Sequence, residues 1–171
     1  MAARNSKKKA NDPNEKVIAT NRRARFQYEV LDTFEAGMVL LGPEVKSLRD
    51  GRANMGDSFA SIRNGEIYLE KLHISPYDHA NRSAPDPMRV RKLLLHKHEI
   101  QKLHSRVVER GLTIVPLRLY LREGRVKVEL GLVRGKHMHD KRETIKRRDA
   151  DLEAKRAMRH GGRGGGGRRA R

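Results

Sequence analysis

Histidine is the side chain most ready for acid–base chemistry at neutral pH, and the chain has eight. His96 and His98 are two residues apart, as are His137 and His139, while His73, His79 and His104 are scattered. A metal site needs converging ligands, at helical i, i+4 spacing or with acidic partners, and no His-Glu-x-x-His occurs. There is no cysteine, which removes disulfides and thiolate metal sites together. His139 beside Asp140 has the makings of a base and its orienter for RNA cleavage. Two adjacent residues on a mobile tail are poorly preorganised for that work. Gly-x-Ser-x-Gly, phosphate-loop and dinucleotide fingerprints are absent. No catalytic residue, metal or cofactor is expected.

The fuller chemistry is cationic. Lys and Arg number 39 against 21 Asp and Glu, a net charge of +18, and the sequence pI is near 10.8. A polyanion is the default partner at that charge density. Three clusters flank element ends: Asn21 to Arg25, with Arg23 at its centre; Lys46 with Arg49; and Arg89 to Lys92, which includes Arg91. On a small domain they converge on one phosphate backbone. Aromatic residues make up only 4% of the chain and no aromatic RNA-binding motif is present. Shape and phosphate contacts to structured RNA therefore suit it better than base stacking. No apolar run approaches the roughly 18 residues of a membrane span. Met1 to Lys9 is basic without an apolar segment, so it is not a secretory signal. A cytoplasmic protein is expected.

The elements that must position these clusters centre on Gly111 to Leu132. Thr113, Val115, Leu117, Leu119 and Leu121 alternate with Ile114, Pro116, Arg118 and Tyr120; after Arg122-Glu123-Gly124, Val126, Val128, Leu130 and Leu132 resume the period. Alternation on both sides of a Gly-containing turn predicts a hairpin. Its first arm, apolar on both faces, belongs mid-sheet, and Pro116 belongs at a bulge. Upstream, Lys16 to Arg25 reads as a short helix. Phe26 to Val30 and Met38 to Leu41 read as strands joined by a turn at Glu35-Ala36-Gly37. Glu44 to Asp50 is helical, between Pro43 and Gly51, with Val45 and Leu48 inward, Lys46 and Arg49 outward, and Glu44 placed to suit the helix dipole. Ser58 to Ile62 and Glu66 to Ile74 form a hairpin on Asn64-Gly65, with Lys71 on the Ile67 and Leu69 side. Ile100, Leu103, Val107 and Val108 mark a helix over Glu99 to Arg110, stopped by Gly111.

Past Leu132 the apolar pattern stops. From Val133 to Arg171 there are 14 Lys and Arg against 5 Asp and Glu, half of the net charge on 39 residues. Asp140 to Arg159 has good helix formers, but Ile145, Leu152 and Met158 are too few to dock it. A tail unstructured alone and helical on a partner is expected. The fold class is mainly β: roughly six strands in an antiparallel, OB-like closed barrel with about three short helices. The expected divisions are a basic arm over 1–15, the barrel over 16–133, the tail over 134–160 and a Gly/Arg-rich end over 161–171.

Four stretches carry a resemblance. Glu44-Val45-Lys46-Ser47-Leu48-Arg49, Arg91-Lys92-Leu93-Leu94-Leu95-His96, Gly111 to Leu117, and Gly135-Lys136 followed by His139-Asp140-Lys141-Arg142 closely resemble the small protein B family, the SsrA-binding proteins of bacterial trans-translation. The resemblance runs from about Ala19 to Arg159. It implies an OB-like barrel that binds the tRNA-like domain of tmRNA and helps bring alanyl-tmRNA to stalled ribosomes. It implies indirect links, through tmRNA, to alanyl-tRNA synthetase and elongation factor Tu. Family RNA contacts fall here on Glu35, Leu94 and His96, with Arg49 and Lys92 nearby; Asn21, Arg23, Glu44, Lys46 and Arg91 complete the candidate RNA set. For the tail it implies contact with ribosomal RNA at the decoding centre and with the empty mRNA channel through Lys136, His139, Asp140, Lys141, Arg142, Ile145, Lys146 and Arg147. The alternative is a structural ribosomal protein held on ribosomal RNA by its basic extensions.

Overall fold

The central hairpin forms as its alternation requires. Thr113–Arg122 and Arg125–Gly135 pair antiparallel, and Glu123 and Gly124 turn between them at φ of 50° and 74°. In the computed structural model, residues 15–77 and 85–136 are described, with positions 145, 150, 152 and 153 beyond them. The order is β1 (Glu15–Thr20), α1 (Arg22–Gln27), β2 (Tyr28–Met38), α2 (Gly42–Arg49), β3 (Ala53–Asn54), β4 (Phe59–Arg63), β5 (Glu66–Glu70), β6 (His73–Ile74), β7 (Arg91–Leu94), α3 (Lys97–Arg110), β8 (Thr113–Arg122) and β9 (Arg125–Gly135). The expected arm lies outside the described residues up to position 14, with Glu15 already opening β1, and so do positions 78–84 and the Gly/Arg-rich end.

Seven strands form one sheet in the order β1-β8-β4-β5-β7-β2-β9, and β9 also pairs with β8. That last pairing closes β8, β4, β5, β7, β2 and β9 into a ring without open edges, and β1 lies outside it, paired with β8 alone. β9 takes one edge of β8 along its whole length, while β4 and β1 take successive stretches of the other. β8 is thus the mid-sheet strand that its two apolar faces predicted. The register slips between Pro116 and Arg118, placing the proline at an irregularity as expected. β3 and β6 form a separate two-stranded ribbon.

Inside the ring lie Ile67, Leu69, Leu93, Ile114, Leu119, Val128, Leu130 and Leu132, joined by Leu48 from α2 and by Ile100 and Leu103 from α3. Burying each such side chain contributes about 1.5–3 kcal/mol. A smaller cluster of Ala24, Val115, Leu117 and Val133 packs with Tyr28, joining α1 to β8 and β9.

Five expectations change. Glu15–Thr20 is a strand on β8, and the helix starts only at Asn21, whose side chain caps it by accepting from the Ala24 N–H at 2.9 Å. The β-branched pair Val17-Ile18 suits a strand better than helix propensity indicated. β2 runs unbroken through Glu35-Ala36-Gly37, because the small residues serve close packing: a Cβ on Gly37 would lie 3.4 Å from that of Leu94. The return strand after Asn64-Gly65 breaks at Lys71 (φ 56°), so Lys71 is exposed and His73–Ile74 joins the small ribbon. Val108 is 68% exposed and falls outside the apolar stripe of α3. Nine strands, rather than six, are present among the described residues.

Gly131 is squeezed between β2 and β8. A Cβ there would stand 2.9 Å from Leu117 Cδ1. Gly131→Ala is expected to destabilise the barrel by about 1–3 kcal/mol through overpacking. Urea unfolding would show it as a lower midpoint with an unchanged slope.

Candidate nucleic-acid interface

The interface is built on a buried charge. In β7, Arg91 and Leu93 point inward while Lys92 and Leu94 point outward. Arg91 is fully buried, an environment that requires every donor to be met. Its Nε donates to Glu44 Oε1 at 2.9 Å, its Nη1 to the Leu72 and Arg89 carbonyls, and its Nη2 to the Pro87 carbonyl. Glu44, also buried, accepts from both Arg89 Nε and Nη2 and from the Leu41 N–H. Burial pushes the Glu44 carboxyl up, but the hydrogen bonds from Arg89 and Leu41 and the charge of Arg91 outweigh it and hold it below the usual value of 4.5. The pair ties the start of α2 to β7. It occupies Glu44 and Arg91 inside the protein, so these two candidates have no surface with which to meet RNA.

What the pair positions is exposed. Lys46 and Arg49 project from α2, and Lys46 Nζ lies 5.4 Å from the centre of the Tyr77 ring. On β7, Lys92 bonds to Glu66, which also accepts from the Tyr68 hydroxyl at 2.6 Å. The Lys92 contact first, then that from Tyr68, lowers the Glu66 carboxyl, and the same contact raises Lys92. Leu94 is 53% exposed, an apolar residue left in water beside cations. His96 leads into α3 with its ring stacked on that of His98, centroids 5.6 Å apart. Lys92, Leu94 and His96 border a groove of about 890 Å³ between the Asn64-Gly65 turn and the first turns of α3.

Glu35 joins this face through register. Gly37 pairs with Leu94 on one side and Lys127 on the other, and Glu35 lies two residues along the same face of β2. Tyr120 donates to Glu35 Oε2 at 2.6 Å and Arg122 to the same oxygen at 3.3 Å; Lys127 Nζ is 3.8 Å from Oε1. The structure therefore brings Glu35, Lys92, Leu94 and His96 onto neighbouring positions of the barrel, with Lys46 and Arg49 on the adjoining helix.

Asn21 and Arg23 lie elsewhere. Tyr28, just past α1, pairs with Gly135, nine residues along β2 from Gly37, a span of about 30 Å at strand rise. Asn21 is buried: it caps α1, and its Nδ2 donates to the Met55 and Pro116 carbonyls at 3.0 and 3.2 Å. It is a structural residue rather than a surface contact. Arg23 is exposed and paired with Asp57 at 2.7 Å.

Comparison with known proteins identifies this arrangement. The model of the family described as "SmpB protein" matches residues 18–160. The SsrA-binding protein of Thermosynechococcus vestitus is 59% identical over 144 residues, covering 84% of this chain and 95% of that protein. The SsrA-binding protein of Geobacter sulfurreducens is 55% identical over 145 residues, covering 85% and 95%. The chain belongs to the SmpB family. A solved structure described as "tmRNA-SmpB: a journey to the center of the bacterial ribosome" aligns with a TM-score of 0.61 at 50% identity, covering 75% of this chain and 94% of that one. The barrel is thus the SmpB architecture, mainly β and antiparallel, as expected from sequence.

The chain divides into two units, Met1–Gly135 and Lys136–Arg171. Of the SmpB-like tail candidates, Lys136 and Ile145 are described; Ile145 is helical and exposed, as are Ala150, Leu152 and Glu153. His139, Asp140, Lys141, Arg142, Lys146 and Arg147 lie outside the described residues. Among the described residues no group of acidic or histidine side chains is placed to hold a metal, and no helix is long and apolar enough to cross a membrane. Arg125 and Lys127, outside the candidate set, alternate with the inward Val126 and Val128 and so lie on the outer face.

Glu44→Gln leaves Arg91 buried beside a neutral group and is expected to cost about 3–5 kcal/mol at neutral pH. The folded carboxyl is the stronger acid, so its contribution is complete above the unfolded value near 4.5 and is lost as pH falls through the folded value. Denaturant midpoints followed from neutral to acid pH would fall more steeply for the parent chain than for Glu44→Gln.

Proposed function

We propose that this chain is a non-enzymatic, cytoplasmic RNA-binding adaptor of trans-translation. It binds the tRNA-like domain of tmRNA and delivers alanyl-tmRNA to stalled ribosomes. Its tail then probes the decoding centre and the empty mRNA channel. The observation that carries the reading is the family match over residues 18–160, joined to near-complete coverage of relatives named for SsrA binding. A net charge of +18 supplies the attraction to phosphate that such binding needs.

Lys46, Arg49, Lys92, Leu94 and His96, with Glu35 beside them, form the RNA face. Lysines and arginines set affinity through phosphate, while Leu94 and His96 offer an apolar and a ring contact to unstacked nucleotides. Glu35 accepts from base amino groups or ribose hydroxyls. Alanyl-tRNA synthetase and elongation factor Tu are reached through tmRNA rather than directly. The tail, from Lys136 through His139, Asp140, Lys141, Arg142, Ile145, Lys146 and Arg147, orders as a helix in an anionic channel. Message still in the channel excludes it by sterics, so truncation is sensed without reading bases.

Two measurements test this. Removing the chain after Arg134 leaves affinity for tmRNA nearly unchanged and abolishes peptide tagging on stalled ribosomes; equal loss of both activities would rule out the division of labour. Reversing Lys46 and Arg49 to Glu weakens tmRNA binding and flattens its salt dependence by about 0.9 log units per lost phosphate contact. Unchanged binding would remove α2 from the face.

A further inference from the structure

At the end of the barrel away from the RNA face lies a second opening, of about 360 Å³. α1 supplies it with Arg23 and Gln27 and leads into Tyr28; the turn before β4 supplies Asp57 and leads into Phe59; the start of β8 supplies Thr113. Asn21 fixes these walls relative to one another. Buried at the head of α1, it caps that helix, and its Nδ2 donates to the Met55 carbonyl of the turn and to the Pro116 carbonyl of β8. The turn is tied further: Asn54 Oδ1 accepts from the Gly56 N–H at 2.9 Å, and Ser58 Oγ donates to the Met55 carbonyl at 2.8 Å. Walls held in this way lower the ordering cost of binding a ligand.

The chemistry of the opening differs from that of the rest of the surface. On a chain of net charge +18, the charged residues lining it are one cation and one anion, Arg23 and Asp57, joined at 2.7 Å. With no net charge it exerts little pull on phosphate. It offers instead two aromatic rings, Tyr28 and Phe59, and polar groups with capacity to spare. The Gln27 amide and the Tyr28 and Thr113 hydroxyls make no side-chain hydrogen bond among the described residues. Asp57 engages Arg23 Nη1 through Oδ1, which leaves Oδ2 to accept and Arg23 Nε and Nη2 to donate.

Flat rings beside a mixed edge of donors and acceptors match a nucleobase. Among the four bases of RNA, guanine alone sets donors on two adjacent positions, N1–H and N2–H, where a single carboxylate can accept both. Its O6 and N7 are acceptors for the donors that remain.

We propose that this opening is a guanine-binding pocket. Asp57 accepts from N1–H and N2–H, Arg23 and Gln27 donate to O6 and N7, and the base lies against the aromatic side chains. The base belongs to an unpaired nucleotide of an RNA strand or to a free guanine nucleotide; the recognition chemistry is the same. Tyr28 stands about 30 Å along β2 from Gly37, so this is a second site rather than an extension of the RNA face, and it does not depend on tmRNA binding.

The test follows the backbone amides of the isotopically labelled full chain by nuclear magnetic resonance as GMP, IMP or AMP is added, in salt high enough to suppress phosphate contacts. IMP keeps O6, N7 and N1–H but lacks the N2 amino group, and AMP lacks both donors that Asp57 would meet. GMP is expected to shift the Gln27, Gly56, Asp57 and Thr113 amides saturably and to bind about tenfold tighter than IMP or AMP. Asp57→Asn erases that preference without moving the urea midpoint, because the pair with Arg23 is exposed and such pairs contribute little to stability. Leu94→Ala, on the RNA face, leaves the preference intact. No saturable GMP shift at these amides, equal binding of the three nucleotides, or a preference that survives Asp57→Asn overturns the proposal. Short oligoadenylates with and without one central G identify the source. If only the G-containing strand displaces GMP, the ligand is a base within RNA; if neither does, it is a free nucleotide; if both do, the pocket does not read guanine and the proposal falls. Asp57→Asn leaves tmRNA affinity unchanged, so this site and the tmRNA reading fail separately.

Discussion

Strand β9 hydrogen-bonds along both of its edges, to β2 on one side and β8 on the other, and the two partners are some eighty residues apart in sequence. With both edges satisfied, its alternation has no freedom. Val126, Val128, Leu130 and Leu132 must face in, and Arg125, Lys127 and Glu129 must face out. The same register sets Glu35 opposite Glu129 and Gly37 opposite Lys127. A slip of one residue would bury the cations and expose the core, so barrel closure and the composition of the outer face are one constraint. Gly131 marks where the constraint is tightest, because Leu117 occupies the place of its missing side chain.

A second constraint runs through charge. Arg91 takes an inward position in β7 that a leucine could fill, and it stays there because Glu44 and three carbonyls meet its donors. Taking such a pair out of water rarely adds net stability over a well-packed apolar pair. It does make one geometry far better than its neighbours, since any shift of α2 leaves a buried charge unmet. That geometry sets α2, with Lys46 and Arg49, against β7, with Lys92 and Leu94. The buried ions thereby act on the surface ones.

Much of this was legible in the residues, and the failures share a cause. The β8–β9 hairpin, the Asn64-Gly65 turn and α3 are local patterns, in which neighbours along the chain decide the conformation. β1 is not legible locally, because its partner, β8, lies a hundred residues away, and only that pairing outweighs the helix propensity of Lys16 and Ala19. Glu35-Ala36-Gly37 has turn composition, and its use as a close-packed strand depends on Leu94. Glu44 and Arg91 read as surface charges in the sequence, because charge usually means solvent. The period of two carries the contrary signal: with Leu93 facing in, Arg91 must face in as well. The same reasoning would have placed Arg122, Arg125 and Lys127 together on the outer face.

A chain this basic repels itself, and its carboxylates are spent on that problem. Glu35 sits between Tyr120, Arg122 and Lys127, Glu66 holds Lys92, and Glu129 with Glu15 holds Arg118. Each acid fixes the direction of a cation that would otherwise swing freely, which lowers the entropy lost when RNA arrives. Lys46, Arg49 and Arg125 have no such partner among the described residues, and they are among the cations that carry the uncompensated charge of the barrel. The stretch from Val133 onward concentrates cations with few acids beside them, so in the proposed function its ordering cost falls due only where a polyanion surrounds it. Affinity for a folded RNA is best served by cations already in place, whereas inspection of a channel is best served by cations that settle only inside it. The distribution of acids along the sequence provides for both.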